Sequence, residues 1–156
     1  MKYICPLLTV NDIITSRDFY ENLLGQTVKV DFGENVSFEG DFAIHLKTHF
    51  QNLINNKPIN NGTNNVELYF EDDEIENIVE KLKSKNVDFV HELREQPWRQ
   101  KVVRFYDPDK YIIELGESME HVAYRLHLEG KTDEDIATIT YLPMDCVKES
   151  IEKYSK

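Results

Sequence analysis

The amino-acid sequence predicts an α+β fold: two β-α-β-β-β modules forming a cupped mixed sheet with helices outside, followed by a helical tail. Three observations carry this. Strand-like and helix-like segments occur twice in the same order, an asparagine-rich linker separates the two runs, and strand alternation leaves one face apolar and the other polar.

Residues 2–10 read as a strand, with Ile4, Leu8 and Val10 pointing one way and Cys5, Leu7 and Thr9 the other. Asn11 or Asp12 can cap a helix over roughly 12–24, whose inner side carries Ile13, Phe19, Tyr20, Leu23 and Leu24. Gly25 ends it as a left-handed C-cap. Strands follow at about 26–32, 35–39 and 42–49. Residues 51–65 hold seven asparagines, a proline and a glycine, and make the linker. The pattern then repeats: a strand at 66–71, a helix at about 73–86, and strands at about 87–92, 100–106 and 110–115. The modules are thus 1–50 and 66–117 within one domain, 1–117, and residues 118–156 form a C-terminal helical extension.

In that extension one helix stops near Gly130, Thr132 with Asp135 resembles a capping box, and Pro143 stands at the first turn of a third helix. The segment has a net charge of −3 and the chain one of −11. Nucleic-acid binding rests on cations that neutralise phosphates, so no nucleic-acid partner is expected. No apolar stretch is long enough to span a membrane, and the first residues lack the apolar centre of a secretory signal. Cys5 and Cys146, far apart in sequence, suggest no disulfide framework. A cytoplasmic protein is the simplest expectation.

The polar strand face carries Cys5 and Thr9, then Ala43, His45 and Lys47, then Asn65, Glu67 and Tyr69, and finally Ile112 and Glu114. The opposite face is nearly all apolar and belongs under helices. If Glu67 and Glu114 approach to about 4 Å, they repel by about 4 kcal/mol at an effective dielectric near 20. A metal, a shared proton or a cation such as Lys47 must then offset the repulsion. Ordinary pairing of Glu67 with Lys47 or Arg104 answers the same need. Tyr69, Trp98 and Arg99 are candidates to line the mouth of a cup, or simply pack at its edge. His49 and His91 read as exposed residues at strand ends.

Three runs resemble a known superfamily. TVNDIITSRDFYENLLG has an Asp opening a helix and a Phe-Tyr pair before Leu-Gly; RFYDPDKYIIEL has an Asp-Pro-Asp turn and then a strand ending in Glu; QPWRQKVVRFYDP supplies a tryptophan before that turn. Together they resemble the vicinal-oxygen-chelate superfamily of glyoxalase, bleomycin-resistance and extradiol dioxygenase proteins, over residues 3–117. In place of the usual glycine after the turn stands Lys110, which must then accept φ > 0.

The resemblance implies metal ligands on the first and fourth strands of each module, which here are Cys5, His45, Glu67 and Glu114. Glu114 matches the family pattern, whereas Cys5 departs from it and the middle two stand in swapped order. It implies one divalent metal (Zn, Ni, Mn, Co or Fe), with Glu114 or Glu67 as the catalytic base of a lyase or isomerase acting on a small molecule with vicinal oxygens through an enediolate. Tyr69, Trp98, Arg99 and Lys47 would contact the ligand. The alternative is a metal-free, bleomycin-resistance-type binder of a small molecule. A homodimer is also implied.

Overall fold

The computed structural model describes residues 1–156. The chain forms strands β1 (Leu7–Val10), β2 (Val28–Asp31), β3 (Asn35–Phe38), β4 (Ala43–Leu46), β5 (Glu67–Glu71), β6 (Phe89–Glu95), β7 (Lys101–Tyr106) and β8 (Ile112–Gly116). The helices are α1 (Ile13–Asp18), α2 (Lys47–Leu53), α3 (Ile75–Ser84), α4 (Met119–Leu128), α5 (Asp133–Thr140) and α6 (Met144–Tyr154). Two four-stranded sheets result, ordered β1-β4-β3-β2 and β5-β8-β7-β6. The α+β class and the helical tail follow the expectation. No helix is long and apolar enough to cross a membrane.

Two compact units divide the chain: Met1–Glu67 with Tyr106–Ile112, and Leu68–Phe105 with Ile113–Lys156. Segment 106–112 thus packs with the first unit although it lies in the second β-α-β-β-β run.

In the first unit the Asp12 side chain accepts from the Thr15 amide at 2.6 Å, capping α1. The expected single helix instead passes from α1 into a wider π turn, Phe19–Leu23. That turn buries Phe19 and Tyr20, and the Tyr20 ring meets Phe42, which stacks on Phe38. The Tyr20 hydroxyl donates to Asp107 at 2.8 Å. The other oxygen of Asp107 accepts the Asp109 and Tyr111 amides, closing the Asp-Pro-Asp turn, and Lys110 takes φ 66° as the sequence requires. Asp109 accepts from the Asn11 amide at 2.9 Å and from Ser16 Oγ. Burial pushes the Asp107 carboxyl up to about 6, against the lowering influence of these hydrogen bonds.

Three strand ends differ from the sequence reading by three residues or more, and one of them, the end of β6, runs on to Glu95 where 92 was expected. The first strand starts at Leu7, leaving Tyr3 and Ile4 exposed. The strand expected over 42–49 ends at Leu46, and α2 takes over at Lys47. Lys47 therefore opens a helix and does not continue a sheet face. Alternation over six residues reads equally well as one strand, and no Gly or Pro marks the switch.

In the second unit, α3 buries Ile75, Val79 and Leu82. In the extension Thr132 accepts from the Asp135 amide as its capping pattern predicts, and Pro143 precedes α6; Ser118, which the sequence did not single out, caps α4 by accepting from the His121 amide. The extension's three helices share a core of Val122, Ala123, Leu126, Ile136 and Val147. The tail thus supplies its own apolar cluster.

Candidate functional site

On the first sheet, β1 and β4 run parallel with Thr9 level with His45. Cys5 lies two residues before β1 begins and is not part of the strand. Thr9, not Cys5, is therefore the β1 residue in register with His45. The Thr9 hydroxyl lies 3.1 Å from the Tyr111 hydroxyl.

Both ring nitrogens of the buried His45 are engaged: Nδ1 lies 3.1 Å from Asn35 Nδ2, and Nε2 lies 2.7 Å from His49 Nδ1. His49 comes from the first turns of α2, so the pair spans strand end and helix. Burial lowers the His45 pKa, His49 lowers it further, and Glu34 opposes them. His45 is neutral at pH 7. His49 is exposed, as the sequence suggests, but the start of α2 at Lys47 also brings it to His45, a contact that the expected strand over 42–49 does not anticipate.

On the second sheet, Glu114 of β8 is ion-paired with Arg104 of the adjacent β7. The Arg104 guanidinium also lies 3.4 Å from His91 Nε2. Arg104, which the sequence offers as a cation for this face, is the partner of Glu114. Glu67 opens β5 with its side chain exposed.

A second chain of contacts runs along the same sheet. Trp98 Nε1 donates to Gln100 Oε1 at 2.9 Å, Gln100 Nε2 donates to the Tyr69 hydroxyl at 2.9 Å, and Tyr69 donates to Glu71 at 2.8 Å. Gln100 is buried and also donates to the Glu117 carbonyl. Tyr69 and Trp98, expected from sequence to contact a ligand, are therefore held on either side of one glutamine, with the rings 48% and 36% exposed. Burial and the bond to Glu71 raise the Tyr69 phenol to about 12, so it remains a donor at neutral pH. Gly116 makes this possible: a Cβ there would stand 2.9 Å from Gln100 Nε2 and 3.0 Å from the Tyr69 ring. Gln100 escaped notice in the sequence because a lone glutamine carries no motif.

Arg99 takes φ 71° in the turn beside Trp98 and pairs with Glu95 and Glu129. Its charge is spent on the second unit's own carboxylates. Neighbouring Arg125 grips the buried Glu117 through Nε at 2.9 Å, and His121 Nδ1 lies 2.9 Å from the same oxygen.

A divalent metal fits these residues poorly. No three His, Cys, Asp or Glu side chains form a group placed to hold one. His45 is bonded at both nitrogens, and Glu114 is neutralised by Arg104.

The profile of the Glyoxalase-like domain family matches residues 3–120, and the chain belongs to that family. It is similar to a crystal structure of a protein of unknown function from Agrobacterium tumefaciens, with 38% identity, 76% of this chain and 94% of that one covered, and a TM-score of 0.69. A glyoxalase/bleomycin resistance protein/dioxygenase from Nocardioides shares the fold at 20% identity, over 75% of this chain and 83% of that one, with a TM-score of 0.60. A lactoylglutathione lyase from Agrobacterium tumefaciens does so at 18% identity, over 76% and 95%, with a TM-score of 0.57. No curated protein matches the chain significantly.

Proposed function

We propose that the chain binds a small planar molecule on the polar face of its second sheet, without a metal. One observation carries this reading: two half-exposed rings, Tyr69 and Trp98, are fixed by the buried Gln100 between them. Rings held by hydrogen bonds stack on a flat ligand at little entropic cost. A net charge of −11 favours a cationic or neutral ligand over an anionic one. This is the drug-binding role rather than the lyase role that the family resemblance offers.

Trp98 is the only tryptophan, so its fluorescence reports the site directly. Titration with the flat cationic dye proflavine should quench it saturably, and Tyr69→Ala should weaken the effect several-fold. Unsaturable quenching would remove the reading. Elemental analysis of protein purified without chelator tests the lyase or isomerase alternative. Stoichiometric Zn, Ni, Mn, Co or Fe, with a rise in thermal stability on adding it, would favour that alternative and require Glu114 to leave Arg104.

A further inference from the structure

The C-terminal extension builds a groove of its own, apart from the Tyr69–Trp98 face. It has a volume of about 730 Å³. Met119, Leu142, Cys146 and Tyr154 supply much of its less polar lining. Five carboxylates (Glu71, Asp72, Asp73, Glu120 and Glu149) line it against a single ammonium, Lys153. All of these belong to the second unit. The family match ends at residue 120, so most of α4 and all of α5 and α6 lie beyond it.

Carboxylates alone would make only a solvated acidic face. Here they border a cavity in the size range of small-molecule sites. The cavity is also fixed in shape. The Tyr154 hydroxyl donates to Asp73, whose other oxygen accepts the Ser118 amide at 3.1 Å, which joins α6, the end of β5 and the start of α4. Tyr124 stacks behind the Tyr154 ring.

The chain's own ammonium shows what the groove accepts. Lys153 Nζ is ion-paired with Glu120 and lies 5.1 Å from the centre of the Tyr154 ring. A carboxylate and an aromatic face are the two groups that best hold an alkylammonium. Lys153 remains exposed and is free to swing away, since its pairing is of the weak surface kind.

We propose that this groove binds a small alkyl polyamine, one ammonium of which takes the place of Lys153 Nζ between Glu120 and Tyr154. The methylene chain lies along Met119 and Leu142, and a second ammonium meets Asp72, Glu71 or Glu149. A free amine is favoured over a protein lysine because the volume suits a whole small molecule.

Isothermal titration of the full chain with spermidine, at physiological ionic strength, tests this. Saturable binding at one site is expected. Lys153→Met should tighten it about threefold to fivefold by removing the internal competitor, and Glu120→Gln should weaken it by a similar factor. Lys148→Met makes the same change in net charge on α6, outside the groove lining, and should leave affinity unchanged. Equal effects of the two lysine variants would reduce the interaction to general charge attraction and overturn the proposal. So would the absence of saturable binding, or tighter binding of a lysine-containing peptide. Melting curves of each variant verify that it is folded.

Discussion

Arg104 and Glu114 meet across adjacent strands, and the guanidinium occupies the carboxylate that the family resemblance assigns to a metal. Removing the arginine would leave a mostly buried carboxylate without its cation, a change that costs far more than the pair itself contributes. Arg104→Met should therefore destabilise the fold by about 2 kcal/mol in urea unfolding. Adding Glu114→Gln should recover most of that loss, because the orphaned charge is gone. Equal stability of Arg104→Met and the parent would show that the pair contributes nothing.

Asp107 gives the fold a distinctive acid response. Its folded-state pKa, about 6, lies above the ordinary aspartate value, so the folded state holds a proton that the unfolded chain has already released. The resulting stabilisation is complete below pH 4 and is lost as pH rises through 6. Asp107→Asn keeps a neutral group in place at every pH. Relative to the parent, the variant should therefore gain about 2 kcal/mol between pH 4 and pH 7.5, read by urea midpoints at both ends. A constant difference across that range would contradict the assignment.

His45 Nε2 and His49 Nδ1 face each other at 2.7 Å. His45 is held below its ordinary value first by burial and then by His49. A lowered histidine pKa means that the unfolded state takes up protons first, so stability falls as pH drops below the ordinary histidine range. His49→Ala should raise the His45 midpoint in proton NMR titration and lessen that acid loss. An unmoved midpoint would leave burial as the sole cause.

Gly116→Ala should disturb the proposed ligand face at its support. The new methyl would press on Gln100 Nε2 and the Tyr69 ring, neither of which can retreat without breaking a hydrogen bond. A loss of about 1–2 kcal/mol and a shift in the Trp98 emission maximum are expected. Emission identical to the parent's would mean that the Trp98–Gln100–Tyr69 chain is not rigid.

Local chemistry made much of the fold legible. Asp12, Thr132 and Pro143 mark helix starts through their own side chains, and the Asp-Pro-Asp turn forces Lys110 to positive φ. The switch from β4 to α2 was not legible, because AIHL and KTHF continue one another's polarity with no breaker between them. That hid His49. The candidate metal set rested on which strand each residue occupies, whereas register decides which residues stand level. Thr9 opposite His45, and Arg104 beside Glu114, are facts of pairing that no single strand records. Trp98 and Tyr69 were found from their chemistry, but the glutamine joining them has no sequence signature.

The Asp107–Asp109 turn has a consequence for how the chain comes into being. Tyr20 and the start of α1 find their carboxylate anchors nearly ninety to a hundred positions later in the sequence. During synthesis the leading half must wait, with its tyrosine hydroxyl and Asn11 amide unanswered, until residue 109 has left the ribosome. A fragment ending in the asparagine-rich stretch should for the same reason be a poor folder, however complete its four strands look.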